Sequence, residues 1–277
     1  MGAKLTMKES LLQTLRREYK PKFPIILMED FNHISIKKTS SKEVEMVIKN
    51  SFPKTAEQPF IRLEKSKEIV KKEYKAKKIG VILSGGQAAG GHNVISGLFD
   101  AMKKACSSSV LYGFKGGPSG LIENRYIEIT AQLLEQYRNT GGFDIIGSGR
   151  TKIQTEEQIA SSIETARKLD LDGLLIVGGD DSNTNAAFLA ENFLTAGLET
   201  SVVGVPKTID GDLKNEYIET SFGFDTACKT YSELIGNIER DCNSARKYWH
   251  FIKVMGRSAS HIALECALQT QPNICLI

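Results

Sequence analysis

Five short clusters of glycine, hydroxyl, acidic and basic residues each follow an apolar stretch of the sequence. They occupy residues 84–93, 147–150, 177–185, 206–213 and 255–258. Glycines let a phosphate group approach the backbone, and a helix that begins after them offers oriented N–H groups and positive potential. Carboxylates and cations beside such a loop can bind metal ions and move protons. The combination predicts a site for phosphate chemistry.

The first cluster, SGGQAAGGHN, has the composition of a phosphate-binding loop. Its spacing matches neither GxGxxG nor GxxxxGK(S/T), so the common nucleotide-binding loops are not indicated. A tight turn is an equal explanation for one glycine pair. His92 in this cluster is expected to serve packing or helix capping. Arg150, the last residue of GSGR in the second cluster, is either a bidentate phosphate ligand or a surface charge.

The third cluster places two adjacent carboxylates, Asp180 and Asp181, directly after a buried strand. Such a pair is costly unless a cation or hydrogen bonds satisfy it. One carboxylate together with substrate phosphates suits Mg²⁺, a hard cation that prefers oxygen ligands. The alternative is that both residues only cap the helix that follows, where aspartate is favoured.

The fourth cluster, PKTIDGDL, brings a lysine, a hydroxyl and two carboxylates together in the residues Lys207, Thr208, Asp210 and Asp212. Phosphoryl transfer requires neutralised charge, a metal ion and a group that accepts the proton of the nucleophile. This segment offers a cation and a base. In the fifth cluster, Arg257 stands at a predicted helix start, where a cation opposes the helix dipole, and this indicates a compensating anion.

Apolar runs that alternate with helical patterns position these clusters. The predicted strands are KIGVILSGG, which runs into its glycines, SVLYGF, FDIIGSGR, DGLLIVGGDD, SVVGVP and WHFIKVM. One predicted helix opens with a capping box at Thr155 and Gln158, and another runs from Asn185 to Ala196 and ends on Gly197. Strands that alternate with helices indicate βαβ units. We therefore expect an α/β fold, a Rossmann-like three-layer sandwich with a mostly parallel sheet, whose ligands bind beyond the carboxyl ends of the strands.

Residues 1–77 differ from residues 78–277 in composition and in the pattern of apolar residues. They contain a helix-like start from Lys8 to Tyr19 and several prolines, and residues 1–78 hold 19 lysines and arginines against 10 acidic residues. We predict a helical N-terminal extension followed by one domain. The basic residues of the extension interleave with glutamates and lack aromatic partners, so nucleic acid is not expected as a partner.

The composition is that of an ordinary globular protein, with 41% hydrophobic and 25% charged residues. No apolar run approaches the ~18–20 residues that a membrane span needs, so no membrane partner is expected. The five cysteines show no metal-ligand spacing and are expected to be buried thiols in a reducing compartment. A cytoplasmic location follows from these expectations.

Three segments, GGDDS, PKTIDGDL and MGRSASHIA, follow SGGQAAGGHN and GFKGGPSGL in an order that resembles the phosphofructokinase superfamily. The resemblance runs from about Lys78 to the last residue. ATP-dependent members usually carry GGDG and PGTIDND, whereas this chain has Asp181 and Lys207 at the variable positions, as in the pyrophosphate-dependent branch. The Asp181 carboxylate would occupy the place of the α-phosphate of ATP and exclude it by charge and volume. Lys207 would supply a cation for pyrophosphate.

The resemblance implies a magnesium-dependent transfer from pyrophosphate to the C1 hydroxyl of fructose 6-phosphate, a step of glycolysis. It implies that Gly86 contacts pyrophosphate through its backbone, with Arg150 nearby, and that Asp180 holds Mg²⁺. It makes Asp210 the general base. The remaining residues are implied in substrate binding or in shaping the charged site: Thr208, Ile209, Asp212, Met255, Gly256 and Arg257. Lys247 and Tyr248 fall where the family donates residues across a subunit interface, which implies a homodimer or a larger oligomer.

The sequence stops at PNICLI, and residues 273–277 are predicted to begin a buried strand. Family members continue beyond this point and carry further residues for the 6-phosphate of the sugar. We therefore expect a fragment or a truncated product that is inactive by itself. Two other hypotheses stay open, an ATP-dependent kinase and a silent regulatory subunit, although Asp181 and Lys207 disfavour the first.

Overall fold

Strands and helices alternate from Lys78 onward, and the loops between them carry the clusters described above. The computed structural model describes residues 9–24, 34–39, 46–56, 58–65, 73–216, 218–256 and 259–277. The strands within these residues are β1 (Ile34–Thr39), β2 (Phe60–Lys65), β3 (Lys78–Leu83), β4 (Val110–Phe114), β5 (Tyr126–Glu128), β6 (Gly173–Gly178) and β7 (Ser201–Pro206). The helices within them are α1 (Leu11–Glu18), α2 (Met46–Ser51), α3 (Gly91–Ala105), α4 (Pro118–Ile122), α5 (Ala131–Glu135), α6 (Glu156–Leu169), α7 (Asp180–Thr195), α8 (Phe224–Ala245) and α9 (His261–Thr270).

Five strands form one sheet in the order β5-β4-β3-β6-β7. Strands β4, β3, β6 and β7 are parallel, and β5 pairs antiparallel with β4. The register aligns Leu83 of β3 with Val177 of β6, and Gly178 with Pro206 of β7. The carboxyl ends of β3, β6 and β7 therefore meet at one edge of the sheet, as the predicted α/β fold requires.

Two apolar clusters cover the two faces of the sheet. On one face, Ile82 and Ile176 pack with Leu189 and Phe193 of α7, and helix α6 contributes to the same cluster. On the other face, Leu83 packs in a cluster that contains Phe99 of α3. Alternate residues of one strand thus enter opposite clusters, because successive side chains of a strand point to opposite faces. The helix, sheet and helix layers confirm the predicted three-layer sandwich.

The helix boundaries follow local signals in the sequence. The capping box at Thr155 and Gln158 opens α6 as predicted. Gly197 follows the last residues of α7 with a φ of 71°, the left-handed conformation of a helix C-terminus. Helix α7 begins at Asp180, which is earlier than the predicted Asn185. Its first turn therefore contains both acidic residues of the third cluster, where a negative charge is favoured by the helix dipole.

Three predicted strands are wrong. FDIIGSGR forms turns, with Gly147 at a φ of 69°, and Gly149 alone makes a bridge to Ser84. WHFIKVM and residues 273–277 have no regular secondary structure. Trp249 and Phe251 are 85% and 94% exposed. An apolar run becomes a strand only where another strand accepts its backbone hydrogen bonds, and within the described residues the sheet ends at β7.

In the N-terminal extension, helix α1 agrees with the helix-like start expected from the sequence, whereas helix α2 and an antiparallel pair of strands were not predicted. Helix α1 opens with a capping box formed by Ser10 and Gln13. Lys8, the predicted helix start, lies outside the described residues. The extension contacts the α/β domain at Asn139, whose side-chain amide donates to the carbonyl groups of Arg16 and Tyr19 over 2.7 and 2.6 Å.

Two observations bear on the predictions from composition. All five cysteines are free thiols, but only Cys228 and Cys266 are buried, and Cys275 is exposed. The prediction of buried thiols is therefore correct for part of the set. Of the helices in the described parts of the chain, none has the length and apolar character needed to cross a membrane.

Candidate active site

Backbone hydrogen bonds join the loops that follow β3, β6 and β7. The amide of Ser84 donates to Val177 over 2.7 Å, and the amide of Gly85 donates to Gly149 over 2.9 Å. The amide of Lys207 donates to Gly178 over 2.8 Å. Four of the five predicted clusters consequently meet at the carboxyl edge of the sheet, although they are distant in the sequence.

Gly86, Arg150 and Lys207 lie together at this edge. The Lys207 ammonium donates to the carbonyl group of Gly86. A Cβ atom added to Gly86 would lie 3.3 Å from Nη2 of Arg150, and one added to Gly85 would lie 3.3 Å from Nζ of Lys207. The absence of side chains at both glycines therefore leaves the two cations close to the loop backbone. This arrangement of oriented donors and cations is suited to an anion such as a phosphate group.

Lys207 carries its charge in a buried position, with a residue exposure of only 6%. Burial lowers the pKa of its ammonium group, the neighbouring Arg150 lowers it further, and Asp210 opposes both effects. The ring of Phe143 lies 5.7 Å from Nζ and adds an attraction to the cation. A polyanion bound here would relieve the repulsion between Lys207 and Arg150.

Asp210 presents an unpartnered carboxylate oxygen near this cationic group. Its Oδ1 atom is buried and has no hydrogen-bond partner among the described residues. Its amide donates to Oγ1 of Thr208 over 3.1 Å, and the hydroxyl of Ser221 donates to the Thr208 carbonyl over 2.6 Å. The loop is thus held by its own hydroxyl and by a buried serine. An unsatisfied buried acceptor is able to take a hydrogen bond, and then a proton, from a bound hydroxyl group.

The two acidic residues of α7 differ in their surroundings. Asp181 pairs with a cation that was not identified from the sequence, since Nζ of Lys152 lies 3.1 Å from its Oδ1 atom. Asp180 precedes it as the first residue of the helix and is exposed. Asp180 is therefore available to hold a hard cation that also binds phosphate oxygens. The favourable position of both residues in the first turn also leaves the helix-capping interpretation physically valid.

Metal binding at this edge would depend on the bound phosphates. Within the ranges that the structure describes, no group of three or more His, Cys, Asp or Glu side chains is placed to hold a metal ion. Mg²⁺ commonly binds through one or two carboxylates, several waters and substrate phosphates, and it does not require a cage of protein ligands. The single carboxylate of Asp180 beside an anion-binding loop fits that type of site.

Several polar residues that hold the site together were missed in the sequence. The hydroxyl of Ser182 donates to that of Ser84 over 2.8 Å and joins the first turn of α7 to the end of β3. The side-chain amide of Asn183 donates to Gly178 and Gly179, at 2.8 Å each. Lys152 follows Arg150 by two residues, so extending the second cluster by that distance would have included it. The Ser182–Ser84 contact connects segments that are distant in the sequence, so it leaves no local signal, whereas the Asn183 contacts lie within the third cluster.

His92 has a structural role, as predicted. It is fully buried, its Nε2 atom accepts from the amide of Ile145 over 3.2 Å, and its Nδ1 atom lies 2.6 Å from Oγ1 of Thr140. Burial lowers its pKa, and Asp144 opposes this shift. Because Nε2 accepts a backbone hydrogen bond, the imidazole is neutral and Asp144 is not its ion-pair partner.

The remaining predicted substrate residues of the described structure either pack in another apolar cluster or are exposed. Ile209 packs in a third apolar cluster with Cys228 and Ile262. The other members are exposed: Asp212, Lys247, Tyr248, Met255 and Gly256. The Lys247 ammonium lies 5.3 Å from the ring of its neighbour Tyr248. The prediction for Arg257 lies outside the described residues.

The fold and this edge together define an α/β protein with a candidate site for phosphoryl transfer. The sequence profile described as "Phosphofructokinase" matches residues 78–277. The chain therefore belongs to the phosphofructokinase family. This finding confirms the resemblance found from the clusters.

Relatives named pyrophosphate–fructose 6-phosphate 1-phosphotransferase are highly similar to the chain. The protein from Treponema pallidum is 56% identical over 281 residues, which cover 98% of this chain and 49% of the relative. The protein from Porphyromonas gingivalis is 57% identical over 271 residues, with the same coverage of both chains. A potato protein named as the beta subunit is 51% identical and covers 97% and 47%. The chain thus spans about half the length of the curated relatives it matches.

Solved structures support the fold. A pyrophosphate-dependent phosphofructokinase from Marinobacter aquaeolei matches with a TM-score of 0.61 at 24% identity, over 71% of this chain and 50% of that one. A second one, from Nitrosospira multiformis, matches with a TM-score of 0.62 at 24% identity, over 70% and 50%. At this level of identity the likeness concerns the fold alone, and it agrees with the predicted α/β architecture.

Proposed function

We propose that this chain supplies the donor site of an enzyme that reversibly transfers a phosphoryl group from pyrophosphate to the C1 hydroxyl of fructose 6-phosphate. The products are fructose 1,6-bisphosphate and phosphate. The observation that carries the proposal is the position of Gly86, Arg150 and Lys207 around one loop, beside an unpartnered oxygen of Asp210. The names of the most similar relatives support the choice of substrates.

The donor end of the reaction needs groups that neutralise and orient pyrophosphate. Lys207 and Arg150 supply two cations next to the loop at Gly86, whose backbone approaches the donor closely because it has no side chain. Charge that develops on the transferring group in the transition state is stabilised by the same cations. The backbone hydrogen bonds between the loops fix the positions of Gly86, Arg150 and Lys207 before the substrate binds.

The acceptor end needs a base that takes the proton of the attacking hydroxyl. Asp210 fits this role because its Oδ1 atom has no other hydrogen-bond partner among the described residues. Thr208 and Ser221 hold the loop that carries it. We assign Thr208, Ile209, Asp212, Met255, Gly256 and Arg257 to the sugar-phosphate side of the site. Asp212, Met255 and Gly256 are exposed here, and we propose that the acceptor pocket forms with further parts of the enzyme.

Asp181 is proposed to select pyrophosphate over ATP. Its carboxylate would stand where the α-phosphate of ATP must lie, so both charge and volume would exclude the nucleotide. Asp180, one residue earlier, would hold Mg²⁺, and this ion supplies neutralisation of the phosphate charge when it is bound. The ATP-dependent alternative is not favoured, because none of the similar relatives described above is named for ATP.

We further propose that the enzyme works in glycolysis in the cytoplasm as a homodimer or a larger oligomer. Lys247 and Tyr248 are exposed and therefore accessible to a second subunit. The names of the plant relatives distinguish alpha and beta subunits, so in those proteins two kinds of chain are recognised.

The test is a coupled assay that measures fructose 1,6-bisphosphate with either pyrophosphate or ATP as the donor. It compares the 277-residue chain with the same chain extended to the length of its relatives. We expect the extended protein to be active with pyrophosphate and magnesium, and the shorter chain to be inactive. Activity with ATP in place of pyrophosphate would reject the proposed donor. Activity of the shorter chain would reject the need for further parts.

A further inference from the structure

Lys152 lies at the donor site, but neither the sequence clusters nor the resemblance assigned it a role. Its Nζ atom is 3.1 Å from Oδ1 of Asp181, the carboxylate proposed to exclude ATP. The two side chains are 56% and 65% exposed, and ion pairs of this kind contribute little to the stability of the fold. The position of the pair beside the donor loop therefore calls for a functional explanation.

The backbone beside Lys152 is fixed to the helix that carries Asp181. The amide of Ile153 donates to Oδ1 of Asn185 over 3.1 Å, and Nδ2 of Asn185 donates to the carbonyl of Ile153 over 2.7 Å. Ile153 itself is 1% exposed. Asn185 follows Asp181 by four residues in α7, so both side chains lie on the same face of the helix. Asn185 therefore holds the backbone at Ile153, and Asp181 pairs with the neighbouring Lys152.

The negative charge of Asp181 would repel pyrophosphate as well as ATP. A carboxylate close to the donor repels any phosphate group, so exclusion of the nucleotide would also weaken the intended substrate. A cation that pairs with Asp181 compensates the charge of the carboxylate, but the carboxylate still occupies the same space. ATP is then still excluded by the carboxylate, while the penalty for pyrophosphate is reduced.

We propose that Lys152 is a third determinant of donor choice, a positioning residue that acts through Asp181 to make the site tolerant of pyrophosphate. The inference rests on the proposed function of the same site. It differs from direct phosphate binding, which is the role proposed for Arg150 and Lys207. It predicts that Lys152 matters only while Asp181 is present.

The experiment measures pyrophosphate binding by calorimetry in four proteins: the unchanged chain, Lys152→Met, Asp181→Gly and the double variant. Lys152→Met should weaken binding by about 5- to 20-fold, the scale of one close charge pair, and by less than about twofold when Asp181→Gly is already present. Lys152→Arg should restore binding to within about threefold, because it keeps the charge. In the activity assay of the extended protein, the KM for pyrophosphate should rise while the KM for fructose 6-phosphate stays unchanged.

The matched control is Lys168→Met. Lys168 is an exposed lysine in the last turn of α6, which leads into the beginning of β6 and so lies at the edge of the sheet opposite to the site. It should leave pyrophosphate binding unchanged. An equal loss from Lys152→Met in both backgrounds would mean direct binding of the donor and would overturn the inference. So would unchanged binding in Lys152→Met. If the unchanged chain binds ATP in place of pyrophosphate, the proposed function fails, and the inference that rests on it fails with it.

Discussion

Lys207 places an ammonium group in a buried position beside a second cation, Arg150, and this determines what the site can bind. Burial and Arg150 both lower the pKa of the ammonium group, while Asp210 raises it by a smaller amount. The hydrogen bond to the Gly86 carbonyl satisfies one of its donors. A pyrophosphate anion would compensate both cations at once, so the repulsion built into the free site becomes attraction for the donor.

The lowered pKa of Lys207 gives a prediction about pH. As the pH rises through that value, which lies below the ordinary 10.5, the ammonium loses its proton and its attraction for an anion. The affinity for pyrophosphate should therefore decline at a lower pH than it would if Lys207 had the pKa of an exposed lysine. Lys207→Arg keeps its charge in this range and should not show that decline. Calorimetric titrations between about pH 7 and pH 10 measure it, and identical profiles for the two proteins would contradict the assignment.

Asp210→Asn tests the proposed general base. The substitution keeps the shape of the side chain and removes its ability to accept a proton, so turnover in the extended protein should fall by ~10²–10⁴. Pyrophosphate binding should change little, because the cations that hold the donor are untouched. Asp170→Asn is the control, since that exposed carboxylate follows the end of α6 and pairs with Lys78 at the start of β3, at the edge of the sheet opposite to the site. Near-normal turnover of Asp210→Asn would assign the base elsewhere.

Helix α7 is the element that connects the donor site to the rest of the domain. Its first turn carries Asp180 and Asp181, its next turn carries Asn185, and its middle fills the core with Leu189. Because a helix is rigid over this length, the position of Asp181 relative to Lys152 depends on how firmly Asn185 holds the neighbouring segment. The two hydrogen bonds between Asn185 and Ile153 are therefore a structural support of the site.

Asn185→Ala should destabilise the protein by about 1–3 kcal/mol, because it leaves the amide and carbonyl groups of the buried Ile153 without their partners. Asn192→Ala on the same helix is the matched control. Its side-chain amide donates to the carbonyl of Phe188 over 2.8 Å, one turn earlier within α7, so its loss should cost less than about 1 kcal/mol. Urea unfolding of both variants measures the difference. Equal losses of unfolding free energy in both variants would show that the contact with Ile153 contributes no more to stability than the helix contact of Asn192.

The elements that the sequence predicted well are those with strong local patterns. The apolar run of β6 and the capping box of α6 both identify their elements without any tertiary information. Strand β5 has three residues, too few for a periodic signal, and it was missed. The segment WHFIKVM has the composition of a strand, but pairing with a neighbour is a property of the whole sheet. In the same way, Arg150 and Lys207 were identified by type, whereas Lys152 depends on a contact with Asp181 across the fold.

At the scale of the whole molecule, polar contacts among the described residues bind the N-terminal extension to the α/β domain, and two of them involve Asn139 and Glu191. Asn139 binds the end of α1. Glu191, a buried residue of α7, accepts hydrogen bonds from the amides of Lys54 and Thr55 and from the hydroxyl of Thr55, at distances between 2.9 and 3.1 Å. A buried carboxylate is stable only when such donors surround it. The extension is thus attached to the helix whose other end forms the donor site.

Glu191→Ala should release the segment around Lys54 and Thr55 while leaving the sheet intact. Hydrogen bonds to a charged group contribute about 1.5–3 kcal/mol each, so their loss should raise amide hydrogen exchange at these two residues by at least about tenfold. Glu199→Ala, at an exposed glutamate shortly after α7, is the control and should leave exchange unchanged. Exchange followed by mass spectrometry compares both variants with the unchanged chain. If Glu191→Ala protects Lys54 and Thr55 as well as the original residue does, other contacts hold the extension. If the variant instead loses protection throughout β3 and β6, Glu191 supports the whole domain, because its removal would then have unfolded more than the segment it anchors.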